Sequence, residues 1–366
     1  MAGTADIAPT SPSGNDLIDA ILWGAQWSSG GAVTTISTAI AGQSGEERVD
    51  DGYGATILAA VPLEAELAAI AAAMQAIEAV CNLEFLMVPT AGEADLVWAS
   101  IGEADAYGGL GWVNPPGAGS VSGEPQGLIA LNRDAYQPQS GTGVLAMGGY
   151  DFCTVLNLLG QAVGLAVPHR PDGSMGFPGA DPTFGTEPMN QGIHTMMSYE
   201  DGWRSAPQGP TPDTGWGFQA GPMALDIAAL QAMYGVDTTY RTGDDTYALP
   251  AANRSGTFYS CIWDAGGTDR ILGAASLANS IDLRAATLLA GPGGGGFVSY
   301  AAAIHGGFTI AWGAVIEDAT GGALGDAITG NGVANLLIGL QGDDVLLGLD
   351  GDDRLEGGAG ADTLDG

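Results

Sequence analysis

Side chains able to hold a hard cation recur at an unbroken nine-residue step near the end of the chain: Asp326, Asn335, Asp344, Asp353 and Asp362. Each is sixth in a unit, the units being GGALGDAIT from Gly321, GNGVANLLI from Gly330, GLQGDDVLL from Gly339, GLDGDDRLE from Gly348 and GGAGADTLD from Gly357. The eighth place is always aliphatic, filled by Ile328, Leu337, Leu346, Leu355 and Leu364. Carboxylate oxygens suit Ca²⁺, and glycines ahead of them allow a tight turn whose carbonyls point inward. The last three residues of each unit form a short strand with one large side chain facing a core. A flexible Gly/Asp linker gives no reason to keep an aliphatic eighth residue five times running.

A second stretch draws notice for the chemistry it lacks. Residues 154 to 168, TVLNLLGQAVGLAVP, have helical rhythm but no ionisable side chain. The chain has three histidines, His169, His194 and His305, and three cysteines, Cys81, Cys153 and Cys261. The cysteines are far apart, in no metal-ligand spacing, and read as small apolar residues of cores. Cys153 as a nucleophile has no partner base that can be named.

The elements that position these residues follow from pattern. Residues 64 to 82 place Leu67, Ile70, Met74, Ile77 and Cys81 on one face of an amphipathic helix. LEFLMV and ADLVWASI read as strands, Phe152 to Val167 as a helix, Pro168 to Gln219 as mostly loop, and LDIAALQAMYG as a helix stopped by Gly235. This gives an α+β domain over residues 1–235. From Val236 the helical rhythm disappears, and an all-β domain is expected over residues 236–366. The 366 residues are enough for two cores.

Forty-two acidic residues face nine arginines and no lysine, for a formal net charge of −33. Such a surface repels nucleic acid and anionic membranes and favours multivalent cations. Apolar residues make up 46% of the chain, which argues against disorder, and no apolar span of about 20 residues is present to form a transmembrane helix. The start, MAGTADIAPTSPSGND, has no basic region followed by an apolar run, so no classical signal peptide is visible.

The nonapeptide spacing resembles that of RTX calcium-binding repeats, in which successive turns fall on alternate sides of a parallel β-roll and calcium sits between units two apart. A domain followed by such a roll resembles the serralysins, zinc metalloproteases of the metzincin clan (peptidase M10). LIDAILWGAQW, GPMALDIAALQAMYG, RTGDDTY, WDAGGTDRIL and AVIEDATGG look like serralysin segments in the same order. The family's active-site helix carries HExxHxxGxxH, three zinc-binding histidines and a glutamate that activates the metal-bound water. Aligned on Gly160, Gly164, Leu165 and Pro168, this chain has Asn157, Gln161 and Val167 for the histidines and Leu158 for the glutamate. The resemblance makes Met197 the methionine of the Met-turn and Tyr199 the tyrosine that approaches zinc. Amides are poor zinc ligands, Val offers none and Leu accepts no proton, so no Zn²⁺ and no catalytic residue are expected. His169 and His194 flank the cleft in sequence, so a rebuilt two-histidine metal site stands as an alternative to ordinary hydrogen-bonded histidines.

The calcium ligands carry over differently. The resemblance implies sites built from Arg241, Gly243, Asp244 or Asp245, Asp264, Gly266, Gly267 and Asp269, with Val315 and Glu317 leading into the roll. Family ligands fall at the second, fourth and sixth places of each unit: Gly322, Leu324 and Asp326; Asn331, Val333 and Asn335; Leu340, Gly342 and Asp344; Leu349, Gly351 and Asp353; Gly358, Gly360 and Asp362. Leu324 and Val333 are expected to supply carbonyls at a conformational cost, and the unit holding Asn335 to bind most weakly. The implied protein is a secreted, calcium-binding pseudoprotease with a structural, surface-associated or assembly role. It would be exported unfolded by a type I system through a C-terminal signal beyond Gly366, and its partners would be calcium, copies of itself, a cell surface or a peptide. The alternative is a peptide-binding pseudoenzyme that keeps the old substrate cleft; an active zinc endopeptidase is a third reading. A cleft open along surviving strand edges favours the peptide binder, and a filled one the structural body.

Overall fold

Short apolar runs punctuated by glycine and proline build a sheet-rich structure with five helices among the described residues. The computed structural model describes residues 5–107, 109–118, 120–121, 124–125, 127–136, 145–168, 189–200 and 202–366. The helices are α1 (Asp16–Asp19), α2 (Glu64–Glu78), α3 (Glu103–Ala106), α4 (Tyr150–Ala162) and α5 (Ala224–Tyr234). In the first half, five strands lie in the order Leu83–Met87, Thr34–Ile40, Leu96–Ile101, Gly127–Asn132 and Gly111–Asn114. Neighbours pair in parallel except the last, which runs antiparallel to Gly127–Asn132 and has a strand partner on one side only among the described residues.

The sheet is buried on both faces, as parallel sheets generally are, which is why Leu96–Ile101 and Gly127–Asn132 read as continuous apolar runs. One face packs on α2 and α4 through Ile70, Ile77, Leu96, Trp98, Phe152 and Leu156. The other is covered by Val49 and Ile57 of the antiparallel pair Glu47–Asp50 and Thr56–Ala59.

Helix α2 departs from its expected stripe. It stops at Glu78, leaving Cys81 beyond it in a bridge with Val236, and Leu67 and Met74 are only half-buried. The buried face is instead Glu66, Ala69, Ile70, Ala73 and Ile77. Glu66 causes the rotation, since its carboxylate accepts the Leu63 N–H at 2.7 Å and the Ser100 hydroxyl at 2.9 Å, and alanines beside it let the helix approach the sheet closely. Helix α4 likewise ends at Ala162 rather than Val167. The chain then turns through Gly164 at φ +99, where a Cβ would sit 2.6 Å from the Ala25 carbonyl oxygen.

Beyond residue 235 the strands Thr246–Ala248, Arg270–Leu272, Asp318–Thr320, Leu336–Gln341 and Arg354–Ala359 make one wholly parallel sheet. A second, mixed sheet runs Tyr259–Ile262, Gly307–Ile310, Ser299–Ala301, Asn279–Asp282, Ala327–Thr329, Val345–Leu347 and Thr363–Asp365. In the nonapeptide stretch partners stand eighteen residues apart, Ala327 opposite Val345 and Leu336 opposite Arg354, so consecutive units alternate between sheets. Ile328, Leu337 and Leu346 are fully buried between the sheets, Leu355 is half-buried, and Leu364 on the last strand is 48% exposed. A single buried cluster joins Ile36, Phe152 and Leu230 to Ile271, Ile316 and Leu337, so the two halves pack together.

Candidate functional site

The first candidate is a cleft of about 550 Å³ between α4 and the edge strand Gly111–Asn114. Its described lining is Leu110, Gly111, Trp112 and Val113 from the strand side, Tyr150, Cys153, Thr154, Asn157, Leu158 and Gln161 from α4, and Ser198 and Tyr199 from the Met-turn segment. That lining contains no imidazole and no carboxylate.

The Met-turn segment is fixed beneath α4 from the side of α5. Asp226, wholly buried, accepts the Thr195 hydroxyl and the Met196 N–H at 2.6 Å, and the Met223 N–H at 2.8 Å as the N-terminal cap of α5. Burial pushes this carboxyl up to about 7 against the pull of its three donors. Gly160 makes the contact possible, because a Cβ there would come 2.6 Å from Met197 Sδ and 2.8 Å from Met196 Cε.

At the positions matched to the zinc site, Asn157 Nδ2 donates to the Met196 carbonyl at 3.1 Å, and Asn157 Oδ1 accepts from Gln161 Nε2 at 2.8 Å. Leu158 is buried, its Cδ1 lying beneath the Cα of Gly111, while Val167 packs partly buried against the core. Met197 is buried, and Tyr199, 61% exposed, stands at the cleft. Two amides already bonded to one another and two aliphatic side chains do not fit a zinc ion, which takes imidazole, thiolate or carboxylate donors. Of the histidines, His169 lies outside the described residues. The His194 ring packs on Gly295 with Nδ1 3.1 Å from its carbonyl oxygen, and burial pushes its pKa down to about 4. His305 lies in the second half against Trp216. Cys153 is buried among the Gly149 and Gln219 carbonyls, and none of the three cysteines is in a disulfide.

The second candidate is made of carboxylates. Asp245, Asp264 and Asp269 bring one oxygen each within 4.8 Å of one another. Asp244, the alternative offered by sequence, caps the Thr268 N–H at 3.0 Å instead. Asp264 also accepts from the Tyr247 hydroxyl and from the Gly266 N–H at 3.0 Å. Arg241, at φ +49, lays its guanidinium against the Tyr240 and Tyr247 rings and reaches Asp245 at 3.4 Å. The Gly243 carbonyl lies against Gly267, where a Cβ would be 2.1 Å from its oxygen. Burial, reinforced by Asp264, Glu317 and Asp245, pushes Asp269 up to about 6, which is what a cation-binding group does when no positive charge faces it.

These side chains belong to two ladders. In one, the Asp245 N–H donates to Asp269 Oδ1, the Asp269 N–H to Glu317 Oε2 and the Asn335 N–H to Asp353 Oδ1, at 2.8, 2.8 and 2.9 Å. In the other, the N–H groups of Asn279, Asp326 and Asp344 donate to Oδ1 of Asp326, Asp344 and Asp362, at 2.6, 2.8 and 3.1 Å. Oδ2 of Asp269, Asp344 and Asp353 is buried without a hydrogen-bond partner. Buried carboxylate oxygens are seldom left so, and hard oxygens of this kind fit Ca²⁺.

The remaining places supply backbone. The fourth-place carbonyls of Leu324, Val333 and Gly342 lie over the Cα atoms of Gly342, Gly351 and Gly360, and the second-place Leu340 carbonyl over Gly358. Gly322 donates its N–H to Asp326, and Val315 is exposed next to the half-buried Glu317. The expected strain is misplaced, however. Leu324 and Val333 keep ordinary φ, whereas Leu340 and Leu349, in the second place, are at φ +80 and +74. In the last three units the second and fourth places both take positive φ, the fourth through Gly342, Gly351 and Gly360, whereas the first two units take it at neither place.

Asn279 was not singled out by sequence because it lies before the continuous nine-residue register. A shorter signal reveals it: a polar residue followed two places on by an inward side chain, as in Asn279 and Ile281, Asp269 and Ile271, or Asp326 and Ile328.

The chain is similar in sequence to several curated metallopeptidases. The chain is similar to the metallopeptidase AprA of Pseudomonas marginalis, 29% identical over 271 residues, which cover 70% of this chain and 52% of the relative. It is 34% identical over 186 residues to serralysin C of Dickeya chrysanthemi, covering 48% of this chain and 35% of that protein. A serralysin of Proteus mirabilis is 32% identical over 136 residues, 34% of this chain and 26% of the relative. The chain thus spans about half, or less, of the length of the curated relatives it matches. No protein-family model matches it.

Proposed function

We propose that the chain is a calcium-binding, serralysin-like pseudoprotease, with a metzincin-like domain over residues 1–235 and an RTX β-roll over residues 236–366, that retains its cleft as a groove for extended peptides. The observation that carries this reading is the cleft itself. One wall is a strand with a strand partner on one side only among the described residues, Gly111–Asn114, able to pair with an extended peptide by β-augmentation. The opposite floor holds Leu158 and the bonded Asn157 and Gln161 amides in place of a glutamate and two imidazoles. Among the described residues the cleft is open rather than filled, which favours binding over the structural body. Beyond Tyr150 and Tyr199 it adjoins a hollow of about 260 Å³ with a mixed lining, Trp203, Pro210, Pro212 and Phe218 beside Arg204, Thr211, Asp213 and Thr214.

Calcium belongs to the same reading, at the ladders with unpartnered carboxylate oxygens. No helix of the described residues is long and apolar enough to cross a membrane, and the likeness to serralysins supports a role outside the cell. A surface-associated or assembled role is the second reading, favoured by the net charge of −33, which calcium would bridge between copies.

A panel of labelled extended peptides, screened by fluorescence anisotropy in millimolar calcium, tests the groove. Saturable binding with the peptide recovered intact by mass spectrometry is the expected result. Absence of binding to every peptide defeats the groove reading, and stoichiometric zinc with peptide cleavage defeats the pseudoprotease.

A further inference from the structure

Two rungs of the ladders are asparagines, and their amides make bonds that the aspartates cannot. Asn335 Oδ1 accepts the Asn331 N–H at 2.8 Å, which identifies that atom as the carbonyl oxygen. Its Nδ2 therefore donates to the Glu317 carbonyl at 2.9 Å and to Asn331 Oδ1 at 3.1 Å. In the other ladder Asn279 Oδ1 accepts the Ala274 N–H at 2.8 Å, and Nδ2 lies 2.9 Å from both the Leu277 carbonyl and Asp326 Oδ1. Both amides are buried, and each sets an N–H among inward-facing oxygens. At Asp344 and Asp353 the oxygen that stands over the first glycine of the unit, as Asn335 Oδ1 stands over Gly330, is Oδ2, and it has no donor.

A calcium ion gathers six to eight oxygens at about 2.3–2.6 Å. An amide nitrogen offers it no lone pair, and the positive end of an N–H dipole facing the same oxygens repels it. We propose that Asn279 and Asn335 are substitutes for calcium: each closes its layer of the stack with N–H bonds, and bound calcium is confined to the layers of Asp269, Asp344 and Asp353. This inference rests on the calcium-binding reading given above. It follows that the layers beside Asn279 and Asn335 hold together when calcium is withdrawn, and that the later units open first.

The test is a calcium count by mass spectrometry on the full chain, equilibrated at fixed free calcium and passed through gel filtration. Asn335→Asp and Asn279→Asp are each expected to gain one calcium per chain, the double variant two, and Asp344→Asn to lose one. Should Asn335→Asp fail to fold, the counts for Asn279→Asp and Asp344→Asn decide. Wild-type counts in both Asn→Asp variants overturn the substitution. A wild-type chain that binds no calcium overturns the calcium reading itself, whatever the variants do.

Discussion

In the cleft, Asn157 has partners for both its amide atoms and the adjoining Leu158 has none to find; in the repeat stack, three buried carboxylate oxygens have no partner. On the proposed reading both regions correspond to metal sites of serralysin-like proteins, and the contrast separates two ways of filling such a site. One replaces charged donors with groups that satisfy each other, and the result stands without an ion. The other keeps charges that bury badly by themselves, and on the calcium-binding reading such a region is complete only with a cation.

The largest effect that tests this contrast is calcium withdrawal. Each calcium site held at a thousand times its Kd stabilises the folded state by about 4 kcal/mol, so several sites together exceed what a domain ordinarily has in reserve. Adding chelator is expected to reduce the β circular dichroism of residues 236–366, the later repeat units first, and to lower the melting temperature steeply, while zinc chelation at constant calcium changes neither. An unchanged spectrum in chelator would remove the distinction between the two regions. The pH dependence sharpens it. Asp269 has its folded pKa raised to about 6, above the unfolded value of about 3.9. In chelator its contribution therefore favours folding below about pH 4 and is lost as pH rises to about 6. With calcium the ionised form is the bound form, and the trend reverses.

An intermediate effect belongs to the first half. If the cleft region stands by internal hydrogen bonding, Asp226 is where it is most vulnerable, because one carboxylate satisfies Thr195, Met196 and Met223. Asp226→Ala leaves these buried donors unpaired and is expected to cost on the order of 3 kcal/mol, read as a shift of the denaturant midpoint in saturating calcium. Asp226→Asn keeps the shape and should lose less. Wild-type stability in Asp226→Asn, with the loss confined to Asp226→Ala, would show that packing, rather than hydrogen bonding, holds the Met-turn.

Sequence made the two regions unequally legible for the same physical reason. The repeat stack is periodic and local: the aliphatic eighth place forecast the burial of Ile328, Leu337 and Leu346, and the resemblance of the spacing to RTX repeats implied the alternation between sheets and the register of eighteen. The first half is assembled from contacts distant in sequence. Glu66 rotates α2 by bonding Ser100, thirty-four residues away, and no periodicity within the helix announces that. Asp226 and the Met-turn are thirty residues apart, so the segments were recognisable singly but the bond between them was not. Asn279 was hidden by the residues that separate it from Asp326, forty-seven places on.

The smallest predicted effect concerns the second place of the repeat unit, where periodicity was legible but the strain was assigned wrongly. Leu340 and Leu349 are 45% and 47% exposed, so their side chains contribute little burial, and both sit at positive φ. A left-handed conformation costs a residue with a Cβ about 1–2 kcal/mol, and glycine, which avoids that cost, loses about 0.5–1 kcal/mol more chain entropy on folding. Leu349→Gly should therefore stabilise the calcium-loaded protein by less than about 1 kcal/mol. Leu324→Gly, at an ordinary φ, has no strain to relieve and is expected to destabilise. Opposite signs in calcium-saturated melting experiments would place the strain at the second place of the unit; equal signs would mean that the turn tolerates a side chain there and that glycine serves the repeat through close backbone approach alone.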